Sequence, residues 1–333
     1  MNRTILIILG LLCAVIAAAG IININYYPNS KKAQTLTFEE WLKETEHVGQ
    51  YRDIKILNNL PKEKIIVVRN DLCDGKANAG GFDGNYDHIQ NVLDTLGIPH
   101  TLIGKSELEK DKYSLDDKWI VLFNCSFFHE HCCNPKHRPG TTKTGARVVR
   151  CEGEGAHQIH ESKFSYKTIK KIRRFAETGG YLFTEDLNIE EIIMVTVRAI
   201  ITYTKYLPEK YVTILPAPDE EKHPYLKDVF KFPVQPTEGN IEIKWKIDDE
   251  SPNIRVLNKA ATALIVSPQL VNKWDPNGTV AVTFPVPNQE TGQPNGQVLH
   301  IMTHFGRQAS KIDEFALQNL LVNFLMEMAE KKK

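Results

Sequence analysis

The side chains with the most chemistry crowd into one stretch. Residues 125–160 hold Cys125, His129, His131, Cys132, Cys133, His137, Cys151, His157 and His160, four of the six cysteines and five of the eleven histidines in a chain of 333 residues. Thiolate and imidazole are the donors zinc prefers, normally four of them in tetrahedral array. A zinc site drawn from Cys125, His129, His131, Cys132, Cys133 and Cys151 is one expectation. No C-x-x-C pair is present, and the adjacent Cys132 and Cys133 cannot easily share one ion. A disulfide-stapled loop with its histidines on the surface is therefore the other expectation.

A second set comprises Glu185, Asp186 and His304, each at the end of an apolar run. Carboxylate and imidazole side by side can act as general acid and base, or bind a metal. The structural alternative has the two acids capping a following helix and the histidine hydrogen-bonded within the core. A glycine-rich loop at 71–85 has the glycines of a phosphate cradle but not the spacing of a nucleotide fingerprint. Asp71, Asp74 and Asp83 would repel a phosphate there, so it reads as an irregular turn.

These residues need elements to position them. The run 64–70 (KIIVVRN) is short, apolar and β-branched, the pattern of a strand buried on both faces. Tyr86, Ile89, Val92, Leu93 and Leu96 follow at helical spacing, with Gly97 and Pro99 as stop signals. Strands at 100–104 and 119–125 come next, and the strand–helix–strand spacing predicts a parallel sheet. After the Cys/His insert, Ser165 caps a helix ended by Gly179, and YLFT at 181–184 is a fourth strand. A helix is expected from Ile189 to about Ala199. Strands are expected at 211–217, 241–247, 262–268, 279–286 and 297–305, and a last helix carries Ile312, Phe315, Leu320, Phe324 and Met328. Strand ends of such a sheet are where ligands bind, and Asn124, Cys125, Glu185 and Asp186 all lie there.

Lys plus Arg and Asp plus Glu are 41 each, so the formal net charge is zero and no clustered positive footprint for nucleic acid exists. The basic run Lys167, Lys170, Lys171, Arg173 and Arg174 reads as the solvated face of one helix. At the N-terminus an unbroken apolar run, 5–22, is long enough to span a bilayer core, with Tyr26 and Tyr27 where an interfacial belt would sit. Ala17 and Ala19 offer a signal-peptidase site, but the apolar run continues past it. An uncleaved anchor over residues 1–24 is expected, with secretion after cleavage as the alternative; either way the main domain lies outside the cytoplasm. Residues 25–61 read as a stalk with a short helix opened by a Thr37/Glu40 capping box, and 62–333 as one domain with the insert at 125–160.

The order of D-T-L-G-I-P-H, F-A-E-T-G-G-Y-L-F-T-E-D, H-P-Y-L-K-D-V-F and T-H-F-G-R-Q resembles the class I glutamine amidotransferase-like superfamily, and within it a membrane-associated bacterial branch. The resemblance spans about 62–330 and implies a flavodoxin-like three-layer α/β sandwich with a mostly parallel sheet, preceded by a transmembrane helix. Amidotransferases carry a cysteine in a G-x-C-x-G elbow after a central strand and an H-x-E pair after a later one. Here the elbow strand delivers Glu185 and Asp186, while His304 is followed by Phe305 and Gly306. Cys125 lies one strand early and lacks flanking glycines. A carboxylate cannot replace the thiolate that forms the acyl intermediate.

The chain is therefore expected to be a membrane-anchored, extracytoplasmic amidotransferase-like domain without amidotransferase activity, binding a ligand or protein partner at the carboxyl edge of its sheet. A hydrolase using Glu185, Asp186 and His304, with or without metal, is the alternative, and an assembly protein with a stapled recognition loop is a third. In the implied 2-1-3-4-5 sheet the first and third strands are neighbours, so a Cys73–Cys125 disulfide is expected, with Cys132 or Cys133 joined to Cys151.

Overall fold

A computed structural model describes residues 36–69, 88–125, 138–141, 147–150, 164–197, 200–234, 241–288 and 290–332. The central sheet contains β1 (Ile65–Arg69), β2 (Thr101–Gly104), β3 (Ile120–Phe123), β4 (Tyr181–Glu185), β5 (Leu215–Pro216), β6 (Thr262–Val266), β7 (Thr279–Pro287) and β8 (Pro294–Ile301). Their spatial order is β5-β6-β7-β8-β4-β3-β1-β2. The five strands β2-β1-β3-β4-β8 are parallel, and ranked by sequence they read 2-1-3-4-5, the flavodoxin-like order. β7, β6 and β5 extend the sheet through antiparallel pairings. In β1, β3 and β4 nearly every residue is buried, which is why they read as continuous apolar runs.

Helices cover both faces. α1 (Phe38–Glu44) carries the expected capping box: the Glu40 amide donates to Thr37 Oγ1 and the Thr37 amide to Glu40 Oε2. α2 is Ile89–Thr95, α3 is Tyr166–Glu177 and α4 is Lys311–Lys331. On one face, Tyr181 and Phe183 of β4 pack on Phe324 of α4, with ring centroids 5.3 and 6.3 Å apart. On the other, α3 runs so close to β8 that a Cβ on Gly296 would lie 2.0 Å from the Ala176 carbonyl oxygen. The basic face of α3 is tied down within the chain: Lys167 pairs with Asp111, Lys171 donates to the Leu108 carbonyl and Arg173 to that of Thr196.

The segment read as a stalk is part of the core from Trp41 onward. Trp41, Val48, Tyr51, Ile54 and Leu57 are buried, and Trp41 meets Phe315 edge-on at 5.5 Å. Arg52 then fastens it to α4 through Asn319 and Asn323. Two expected elements differ in extent. The strand at 211–217 splits at Ile214: Lys210–Thr213 pairs with Lys244–Ile247, while Leu215–Pro216 reaches the sheet edge, where a proline is tolerated. The helix expected from Ile189 is a single π-helical turn, Ile189–Ile193, running into Met194–Thr196; its β-branched residues favour helix poorly.

Among the described residues no helix is long and apolar enough to cross a membrane. The run 5–22, the glycine-rich loop and most of the insert, including His129, His131, Cys132, Cys133 and Cys151, lie outside the described residues.

Candidate functional site

Three adjacent strands of the parallel sheet, β3, β4 and β8, end at the same edge and deliver one residue cluster. Beyond β3, the Asn124 amide donates to the Val68 carbonyl, and its side chain accepts from the Ile89 amide, so the strand end is locked to the start of α2. The next residue is Cys125. Its buried thiol donates to Asp186 Oδ2 at 3.8 Å and its amide to Glu185 Oε2 at 3.1 Å, while Cys73, the partner expected for it, lies outside the described residues. The Cys125 side chain is turned toward the end of β4.

β4 ends at Glu185, and Asp186 then takes φ 43°, in the left-handed region that ordinary side chains avoid. Its amide is held by the Ile301 carbonyl of β8 at 2.8 Å. Asn188, just beyond, donates to the carbonyls of Phe123 and Asn124, stitching the turn to β3. This sharp strand-to-helix turn is a nucleophile-elbow geometry, and the residue on it is an aspartate.

After β8 the chain runs through Met302 and Thr303 to His304, which is almost wholly buried. His304 Nε2 lies 3.3 Å from Asp186 Oδ2 and 3.4 Å from Asp248 Oδ2, and Nδ1 faces Glu185 Oε2 at 3.8 Å. Asp248 arrives from the strand Lys244–Ile247, which side chains tie to the same loop. Gln308 accepts from the Lys246 amide and donates to the His304 carbonyl, and Thr303 donates to the Lys246 carbonyl. Lys246 and Arg307 flank Asp248 at 2.9 and 3.1 Å. Behind the cluster, the Gly306 amide donates to Glu314 Oε2 in the first turn of α4.

The electrostatics follow from burial. Burial pushes the Glu185 carboxyl up, against the opposing pull of His304 and the amides of Cys125 and Phe305. Burial alone would lower His304, but the hydrogen bonds and charges of Asp186 and Glu185 outweigh it and raise the imidazole to about 10. Glu314 is pushed up to about 7, chiefly by burial, with the nearby charges of Glu185 and Asp313 adding to it.

The structure thus brings together Glu185, Asp186 and His304, and joins Cys125 to them: one ligand atom from each of Cys125, Asp186 and His304 lies within 4.8 Å of the other two. Sequence reasoning had placed Cys125 at the same strand edge but assigned it to the zinc set of the insert or to a disulfide, not to the Glu185, Asp186 and His304 set, and had missed Asp248, Arg307 and Glu314. Arg307 lies in the quoted T-H-F-G-R-Q motif, so its sequence position was the available signal; Asp248 and Glu314 gave none. A cavity of about 390 Å³ opens at the opposite, amino end of the strands, lined by Arg52, His223, Tyr225, Gln297, Asn323 and Glu327. It is remote from this chemistry, and several of its polar groups serve the packing of α4: Arg52 and the Tyr225 carbonyl both bond Asn323.

The sequence matches no protein-family profile and no curated protein. Solved structures similar to this chain include a glutamine amidotransferase from Thermotoga maritima, with 9% identity and a TM-score of 0.45 over 81% of this chain and 100% of that one. A β-galactosidase from Bacillus circulans sp. alkalophilus is similar with 13% identity and a TM-score of 0.41, over 80% of this chain and 31% of that one. This chain thus spans under a third of the β-galactosidase's length. The mixed α/β fold has a large and mostly parallel sheet, and its parallel strands take the flavodoxin-like order 2-1-3-4-5.

Proposed function

We propose that this chain is an amidotransferase-like domain that does not hydrolyse glutamine and instead binds a ligand or a protein partner at the carboxyl edge of its sheet. The observation that carries this reading is Asp186: a carboxylate stands on the left-handed turn after β4, where an amidotransferase needs a thiolate. An acyl-enzyme on sulfur cannot form from that position. Cys125 is close, but its thiol is turned into the carboxylate of Asp186. The hydrolase reading asks His304 to act as a base, but the ring is almost wholly buried and both its nitrogens face carboxylates, Nε2 those of Asp186 and Asp248 and Nδ1 that of Glu185.

Ammonia release from glutamine tests this. The wild-type protein is expected to release none above background, and Cys125→Ser to have nothing to lose; release that Cys125→Ser abolishes overturns the reading. The same reading holds the domain at a membrane surface through the apolar run 5–22. The protein is expected to sediment with membranes through a high-salt wash, and a mature N-terminus at Gly20 found by mass spectrometry would remove that part alone.

A further inference from the structure

We propose that Cys125 Sγ, Asp186 Oδ2 and His304 Nε2 together bind one transition-metal ion of the zinc class at the carboxyl edge of the sheet. The proposal rests on reading that edge as a binding site, and it names the chemistry of what binds.

The donor atoms have the spacing of a coordination shell. Bond lengths of about 2.0–2.3 Å place neighbouring donors of a tetrahedral zinc roughly 3.3–3.6 Å apart. Here Oδ2 and Nε2 are 3.3 Å apart and Sγ and Oδ2 3.8 Å, and one ligand atom from each of the three residues lies within 4.8 Å of the others. Side-chain adjustments of about 1 Å close all three onto an ion. The donor set selects the class: a thiolate with an imidazole suits zinc and its softer neighbours, whereas calcium and magnesium take oxygen donors.

The three donors are also preformed. All are buried, and they come from the ends of three strands that are neighbours in one sheet. The buried Asp186 Oδ1 has no hydrogen-bond partner among the described residues, which leaves that carboxylate oxygen open to a cation. Around them lies the outer ring expected of a metal site. Glu185 Oε2 faces the second ring nitrogen of His304, the carboxylate–histidine–metal arrangement that orients the ligand. Asp248, beside Nε2, is neutralised by Lys246 and Arg307. One thiolate and one carboxylate balance a divalent ion. Three protein donors also leave a fourth coordination position for a water or for an anionic group of the ligand.

The test uses the full-length protein, purified without chelator, loaded with cobalt(II) or zinc and desalted. One equivalent of cobalt is expected, with a thiolate-to-cobalt charge-transfer band and the visible bands of a tetrahedral site. Cys125→Ser should abolish the charge-transfer band, and Asp186→Asn should lower affinity at least tenfold. Glu185→Gln, which removes no ligand, should weaken binding about 10–100-fold. Far-UV circular dichroism confirms that each variant is folded, and Glu185→Gln keeps the test open should a ligand variant fail to fold. Absence of bound metal in the wild type overturns the proposal and leaves a buried imidazolium between carboxylates. A band and stoichiometry unchanged in Cys125→Ser also overturn it, since the metal then sits on other cysteines. Either result leaves the glutaminase assay untouched, so failure here and failure of the binding reading are distinguishable.

Discussion

His300 sits one turn of chain before the site, fully buried in β8, with Nδ1 3.0 Å from Thr184 Oγ1. Burial pushes this imidazole down to about 3. The unfolded chain's imidazole titrates near 6.5, so between about pH 3 and 6.5 the unfolded state binds the extra proton. The stability contributed is fully present above about pH 6.5 and is lost as pH falls toward 3. From pH 7 to pH 5 this one group should cost about 2 kcal/mol. Urea unfolding at the two pH values is expected to show that loss in the wild type and a smaller one in His300→Gln; identical losses would assign the effect elsewhere. His300 and His304 are four residues apart and both buried, yet burial outweighs the hydrogen bond of Thr184 at the first while Asp186 and Glu185 reverse its effect on the second. Nothing in the sequence separates them, because the difference lies in which strand end faces which ring. Glu185, Asp186 and His304 could be placed at a strand edge because each ends an apolar run. Asp248 could not, because it comes from outside the main sheet, on a strand whose Lys246 backbone is held by Gln308 and Thr303.

The approach of α3 to β8 fixes the sheet that carries the site. Gly296 is the contact point: a Cβ there would meet the backbone oxygens of Ala176 at 2.0 Å and Gly180 at 2.6 Å. Backbone atoms cannot swing aside as a flexible side chain can, so Gly296→Ala should destabilise by about 2–3 kcal/mol. Chemical denaturation measures it, and an unchanged midpoint would mean that α3 does not sit where described. At this scale the parallel strands were legible because a strand buried on both faces is a continuous apolar run. The antiparallel extension was legible as strands but not as pairings: nothing in 211–217 announces that the chain leaves one hairpin at Ile214 and joins another sheet at Leu215. The 36–60 segment was read as peripheral because it is polar on average. Its few large apolar residues, Trp41, Tyr51, Ile54 and Leu57, are the ones that enter the core.

Across the whole molecule, three neighbouring parallel strands bring a thiol, carboxylates and an imidazole to one edge of the sheet. The thiol lies on β3, the carboxylate on the elbow after β4, and the imidazole among three acids. Among the described residues, Cys125, Glu185, Asp186, Asp248 and His304 are all buried and gather at this edge. The central claim is that no cysteine here performs glutamine chemistry. Its most direct test is incubation with an electrophilic glutamine analogue, such as the diazo-ketone that alkylates amidotransferase nucleophiles, followed by intact-mass and peptide mapping. The account predicts an unmodified chain under conditions that fully label a true amidotransferase. A single stoichiometric adduct on Cys125 would contradict it.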